Sequence, residues 1–116
     1  MTRLHHVNLG VLPGGIEAEG LFLTQCLGYR EVEPPASARG RAFWFETDDG
    51  TQVHLRVDAD HRAAAIAHTA LEIGAELDAV AERLRGADIE FEDRRFDDRR
   101  TLICADPAGN RWELRG

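Results

Sequence analysis

The sequence repeats itself once, and this repeat restricts the possible folds more than any other feature. Residues 49–56 resemble residues 108–115, with Gly50 and Gly109 59 positions apart. Residues 27–32 resemble residues 85–90, and residues 6–9 resemble residues 68–71, at similar offsets and in the same order. Each match is weak alone. Their consistent order indicates two copies of one unit of roughly half the chain.

Each copy has the pattern of a strand, a helix and three further strands. Helical spacing of Leu77, Val80 and Leu84 indicates the second helix, and Gly28 and Gly86 suit the positions just past two helix ends. The first copy is predicted as a strand at 4–11, a helix at 16–27 and strands at 29–33, 41–46 and 51–57. The second is predicted as a strand at 69–73, a helix at 76–85 and strands at 89–92, 100–105 and 110–115. The charged run 92–100 is predicted as a solvated hairpin loop.

These elements predict an α+β fold in which two βαβββ modules form a curved mixed sheet with the helices on its outer face. Each half offers one helix to one face of a four-stranded sheet, so neither half is expected to stand alone. The chain is therefore predicted to be a single domain, residues 1–116, made of modules at about 1–58 and 66–116.

Composition removes several kinds of chemistry. All 14 basic residues are arginines, so Schiff-base catalysis and a Walker-type phosphate loop are excluded. Ser37 is the one serine, which argues against a serine triad, and the two cysteines are too few for a thiolate metal cage. The net charge of −7 argues against a nucleic-acid partner. No apolar run is long enough for a membrane span, and the start lacks a signal-peptide pattern, so a cytoplasmic location is expected.

Strand alternation places four polar side chains on the sheet faces that lie away from the helices. These are His6, His54, His68 and Glu113, and the repeat makes His6 equivalent to His68 and His54 equivalent to Glu113. If the modules face each other, three imidazoles and one carboxylate converge, which is a suitable donor set for a divalent metal. For any single histidine, simple exposure to solvent is the alternative, and we assign it to His5 and His61.

Four segments resemble the recurring segments of the vicinal oxygen chelate superfamily. They are residues 4–9, 52–55, 67–70 and 106–114. This superfamily includes glyoxalases, extradiol dioxygenases, epimerases, fosfomycin-resistance transferases and bleomycin-binding proteins. The Asp-Pro-x-Gly-Asn-x-x-Glu segment that ends at Glu113 is the most specific part. The resemblance covers nearly the whole chain and implies paired βαβββ modules.

The resemblance also implies a ligand set of two histidines and one carboxylate, which are His6, His68 and Glu113. His54 stands where glyoxalases place a second Glu, and it is a fourth candidate ligand. The three ligands are also similar to those of fosfomycin-resistance enzymes, whose substrate and cation loop has no counterpart here. The implied chemistry is chelation of two substrate oxygens by a Zn, Ni, Fe, Co or Mn ion that stabilises an enolate or similar anion. Glu113 is then either a ligand only or also the catalytic base, if it leaves the metal.

Further side chains are candidates for contact with a small-molecule substrate. They are Asn8, Arg41, Trp44, Arg56 and Arg111. Solvated arginines and a core tryptophan are the alternatives. The leading function is that of a metal-dependent glyoxalase-like enzyme of the lyase, isomerase or dioxygenase type. A protein of the bleomycin-resistance type that sequesters a drug or metabolite, and a regulatory module, are the other candidates. Relatives with one pair of modules usually dimerise, so a homodimer is expected.

Overall fold

Two units of similar length follow each other along the chain. The computed structural model describes all residues from Met1 to Gly116. It divides into Met1–His61 and Arg62–Gly116. Each unit has its own core and its own sheet. That the two units form one domain stays a prediction.

The first unit is a four-stranded mixed sheet with one helix. Its elements are β1 (His6–Val11), α1 (Ile16–Leu21), β2 (Arg30–Val32), β3 (Ala42–Glu46) and β4 (Gln52–Val57). The strands lie in the order β1-β4-β3-β2. β1 runs parallel to β4, and the other neighbours are antiparallel. The edge strand β1 is therefore held through β4 alone.

The second unit repeats this topology. Its elements are β5 (His68–Glu72), α2 (Leu77–Gly86), β6 (Phe91–Phe96), β7 (Arg99–Ala105) and β8 (Arg111–Arg115). The strands lie in the order β5-β8-β7-β6, with β5 parallel to β8. The predicted pair of βαβββ modules with mixed sheets is confirmed. Neither helix has the length and the apolar content needed to cross a lipid bilayer.

The register repeats residue by residue between the two sheets. His6 lies opposite Gln52 on β4, and His68 lies opposite Arg111 on β8. The turns that precede β4 and β8 both contain a glycine at φ +86°, Gly50 and Gly109. A φ in this region is readily adopted only by glycine, which explains why both copies carry it. The two histidines therefore occupy equivalent positions.

Each sheet buries the side chains of one face. The buried apolar residues include Phe22, Leu23, Phe45, Val53 and Leu55 in the first unit, and Leu77, Val80, Leu84, Leu102, Trp112 and Leu114 in the second. The ring of Phe45 on β3 lies 3.3 Å from the position that a Cβ on Gly20 of α1 would occupy. This contact shows that α1 covers the face of Phe45. The opposite face of the same sheet stays available to polar side chains.

The first helix is shorter than predicted. The α-helix ends at Leu21 and continues as a π-helical turn, Phe22–Cys26. The Thr24 hydroxyl donates a hydrogen bond to the carbonyl of Gly20 at 2.9 Å. Glycine and a threonine that bonds back to the preceding turn both weaken regular α-helix. The α-helix therefore gives way to a wider π-helical turn, where the apolar spacing alone predicted an unbroken helix.

The run 92–100 is an exposed hairpin as predicted, but the prediction that it is a loop is wrong. Most of that run is strand, because β6 extends to Phe96 and β7 begins at Arg99. Asp97 and Asp98 form the turn with φ values of 48° and 67°. Aspartate tolerates this region and favours two-residue hairpin turns. The charges stabilise the pairing, since Arg100 on β7 contacts Asp93 on β6 at 2.8 Å.

Candidate metal centre

Three flat side chains stack on the polar face of the first sheet. Trp44 on β3 lies opposite His54 on β4, with ring centres 4.0 Å apart and planes 2° from parallel. The His6 ring from β1 covers the other side of His54 at 3.9 Å and 16°. We call Trp44, His54 and His6 the ring stack. Its middle ring is enclosed, because only 7% of His54 is exposed to solvent.

A hydrogen-bond chain fixes the protonation of His54. Arg30 on β2 contacts the Glu46 carboxylate at 2.8 Å. Gln52 donates its amide to Glu46 at 3.0 Å, so its carbonyl oxygen is left to accept. That oxygen lies 2.8 Å from Nε2 of His54, which must therefore carry the proton. His54 is held at its edge by Gln52 and on both faces by its ring neighbours.

His5 contacts His6 and was missed as a site residue by the sequence analysis. The Nδ1 atoms of the two rings lie 2.9 Å apart, so one of them donates to the other. When His6 is the donor, its Nε2 keeps a free lone pair, which is the form that binds a metal. Strict alternation predicts that His5 points away from His6. β1 begins only at His6, so His5 lies outside the strand and its side chain does not follow the alternation.

Burial lowers the pKa of His54. The main cause is loss of solvent around the ring, followed by the positive charge of protonated His6 and His5, and together they lower the pKa from 6.5 to about 4. A buried imidazole without a carboxylate partner avoids protonation because the charged form loses hydration. His54 is therefore neutral at physiological pH.

We expect this neutrality to appear in the pH dependence of stability. Between pH 6.5 and 4, His54 is protonated in the unfolded chain but stays neutral in the folded chain. Stability from this group is therefore complete above the unfolded pKa and falls as the pH is lowered, by at most about 1.4 kcal/mol per pH unit. Urea denaturation of the metal-free protein at several pH values measures the slope. His54→Phe is the control, and equal slopes in the two proteins would contradict the expectation.

The second sheet brings His68 and Glu113 together on its polar face. Nε2 of His68 lies 3.6 Å from Oε2 of Glu113. Nδ1 of His68 lies 3.0 Å from the carbonyl oxygen of Ile66, and since a carbonyl only accepts, Nδ1 donates. In the neutral ring, the Nε2 lone pair then faces the carboxylate. Two ligands of one tetrahedral Zn²⁺ are about 3.4 Å apart, so this pair has the chemistry and the spacing of two metal ligands.

Within either unit, no group of three or more His, Cys, Asp or Glu side chains is arranged to hold a metal ion. The first unit contributes His6 and His54 to the candidate set, and the second contributes His68 and Glu113. Binding by all of the family's ligand positions stays a prediction that requires residues of both units.

Two of the candidate substrate residues lie at the ring stack, one beside it and one within it. Asn8 lies directly opposite His54 on the neighbouring strand, and Trp44 is the outer ring of the stack. Asn8 is exposed and Trp44 is half-buried. Arg41 lies apart, in the turn before β3, where it donates to the carbonyl of Ser37 at 2.9 Å.

The other two candidate substrate residues carry free guanidinium groups. Arg56 follows His54 by two positions on β4, and Arg111 lies opposite His68. Both are exposed, and neither forms an ion pair with a carboxylate. Arg111 also borders an open depression of about 680 Å³ with Ile103 and Ala105. These two arginines are thus available to an anionic ligand.

A buried aspartate organises the turn that leads to Glu113. Asp106 accepts hydrogen bonds from the backbone N–H groups of Ala108 at 3.0 Å and Asn110 at 2.9 Å. Its other oxygen accepts from the indole N–H of Trp112 at 2.8 Å. This segment carries the family resemblance in the sequence, and its first residue anchors both the turn and Trp112, the residue beside Glu113.

Comparison with known proteins decides the family. The sequence profile of the Glyoxalase/Bleomycin resistance protein/Dioxygenase superfamily matches residues 3–114. The chain belongs to this superfamily. The family resemblance seen in the sequence is therefore confirmed. None of the curated proteins matches the chain.

Solved structures show the same fold. A protein from Bacillus anthracis assigned to the glyoxalase family is 25% identical, with a TM-score of 0.86, and the match covers 99% of this chain and 94% of that one. The fosfomycin resistance protein FosX from Listeria monocytogenes is 18% identical, with a TM-score of 0.80 over 99% and 93% of the two chains. A glyoxalase/dioxygenase from Nostoc punctiforme is 23% identical, with a TM-score of 0.80 over 97% and 89%.

Proposed function

We propose that this protein is a metal-dependent glyoxalase-like enzyme of the lyase, isomerase or dioxygenase type that acts on a small oxygenated metabolite. The ligands of its divalent ion would be His6, His68 and Glu113. The contact of His68 with Glu113 carries this proposal. In the neutral form of His68, Nε2 and the carboxylate oxygen 3.6 Å away both offer lone pairs, and this arrangement suits a shared cation. One structure of the Listeria FosX contains Mn(II) together with a dihydroxypropylphosphonic acid, which supports a divalent ion in this fold.

The bound ion would supply Lewis-acid stabilisation of negative charge on substrate oxygens. Glu113 has a second task in this proposal. Its Oε2 faces His68, while Oε1 lies 3.9 Å from the guanidinium of Arg115. A carboxylate held in this way can accept a substrate proton at one oxygen while the arginine limits its movement.

The free guanidinium groups would bind an anionic part of the substrate. Arg56 and Arg111 both lie on ligand-bearing faces, in a chain whose net charge is −7. An unpaired arginine binds a carboxylate or phosphonate through two parallel hydrogen bonds. The resemblance to this superfamily also implies a homodimer, and we propose this assembly together with a cytoplasmic location.

Metal analysis of the purified protein tests the proposal. After exposure to a mixture of Zn²⁺, Ni²⁺, Fe²⁺, Co²⁺ and Mn²⁺ followed by dialysis, we expect wild type to retain a divalent ion. We expect His68→Ala to lose it, because a third of the ligand set is gone. Elemental analysis by mass spectrometry measures both.

His61→Ala is the matched control, since it removes a histidine outside both candidate ligand pairs, and it should bind metal as wild type does. A wild-type protein that retains no ion would overturn the enzyme proposal. In that case the protein would be better explained as one that sequesters a small molecule without chemistry.

A further inference from the structure

We propose that His54 is a positioning residue that holds the His6 ring in place for metal binding, and that it is not itself a ligand. This inference rests on the proposed function, because it assigns a role within the same site. It replaces the sequence-based expectation of a fourth ligand at this position.

The stacked geometry does not suit two ligands of one ion. The lone pair of an imidazole lies in the plane of its ring, and Zn–N distances are about 2.1 Å. The rings of His6 and His54 are nearly parallel, with centres 3.9 Å apart. A metal ion at this distance from a nitrogen of each ring would lie between the two ring faces, where neither lone pair is directed. In addition, Nε2 of His54 already donates to Gln52.

The same geometry suits a support for His6. Its side chain is exposed and belongs to an edge strand, so few neighbours restrict it. His54 fixes the plane of the His6 ring by stacking, and His5 fixes its rotation through the 2.9 Å contact between the Nδ1 atoms. The unoccupied nitrogen of His6 is then Nε2. Groups that hold a metal-binding histidine in one orientation strengthen metal binding.

Contacts with neighbouring strands hold His54 in place. Trp44 packs on the far face of His54 at 4.0 Å, and the edge of His54 is held by Gln52. Gln52 is held in turn by Glu46, which contacts Arg30. Contacts therefore run across all four strands, from β2 at one edge to His6 on β1 at the other. A flat ring at position 54 is the central requirement of this arrangement.

Two substitutions separate positioning from ligation. His54→Phe keeps a flat ring and removes every nitrogen, whereas His54→Ala removes the ring. With Co²⁺ alone as the probe, we expect His54→Phe to bind within about threefold of wild type and to keep its visible absorption spectrum. We expect His54→Ala to bind about 10–100-fold more weakly. Equal losses in both variants, or an altered Co²⁺ spectrum in His54→Phe, would overturn the proposal.

A measurement without metal separates this inference from the proposed function. Nitrogen-detected NMR of the metal-free protein reports which ring nitrogen of His6 carries the proton. We expect one tautomer in wild type and in His54→Phe, and a mixture in His54→Ala. An unchanged His6 tautomer in His54→Ala would overturn the positioning role. Absence of metal in wild type would overturn the proposed function while this measurement still decides the support of His6.

Discussion

Asp106→Ala lowers the free energy of unfolding by about 4 kcal/mol, which corresponds to a melting temperature about 15 °C lower. Asp106 is 5% exposed and accepts three hydrogen bonds, one of them from the indole of Trp112, which is 0% exposed. Alanine leaves a buried indole N–H and two turn N–H groups without their acceptor. Hydrogen bonds to a charged acceptor are worth more than neutral ones, and an orphaned buried donor adds its own cost. Thermal and urea denaturation measure the effect.

The first unit provides a matched control for this substitution. Asp49 lies in the equivalent turn and accepts from the Thr51 backbone at 2.9 Å and the Thr47 hydroxyl at 2.7 Å. Asp49 is exposed, so water can replace its carboxylate when it is removed. Asp49→Ala should therefore destabilise the protein less than Asp106→Ala. Equal effects would show that burial of Asp106 is not the reason for its importance.

The elements of the fold could be predicted because their signals are local. Apolar spacing on α2, alternation on β4 and β8, and glycine in two equivalent turns each depend on a few neighbouring residues. The repeat then supplied the topology, since the same order of elements occurs in both units. The predicted helix was too long where the Thr24 side chain bonds to the backbone of the preceding turn. The predicted strand was too short on β6, because its charged residues do not show the alternation of a half-buried strand.

The polar face that carries each candidate residue could be predicted from the sequence, but the contacts between these residues could not. Alternation and the repeat identify His6, His54, His68 and Glu113 as residues of one kind of face. They do not predict that His54 stacks on His6 or that the Glu113 carboxylate faces Nε2 of His68. These contacts depend on the side-chain rotamers, which the sequence pattern does not specify. They also miss His5, which contacts His6 from outside the strand. Equivalent positions in a duplicated fold can therefore carry different tasks.

Glu113→Gln lowers the affinity for a divalent ion by about 100-fold or more. The carboxylate is the one negative ligand in the proposed set, and an amide of the same shape offers either a neutral oxygen or a nitrogen without a lone pair for the metal. Competition with a coloured chelator measures the affinity. Glu17→Gln, an exposed position on α1, is the control and should leave the affinity unchanged.

The same substitution should not destabilise the metal-free protein. In the neutral form of His68, its Nε2 and the carboxylate of Glu113 are both hydrogen-bond acceptors, and they lie 3.6 Å apart. The amide N–H of glutamine can donate to that nitrogen, so the pair gains a hydrogen bond that the wild type lacks without metal. Stability that is kept or raised while metal affinity collapses is expected of a ligand, because binding sites keep groups that are poorly paired until the ligand arrives. Loss of stability together with unchanged metal binding would instead make Glu113 a structural partner of His68 and remove it from the metal site.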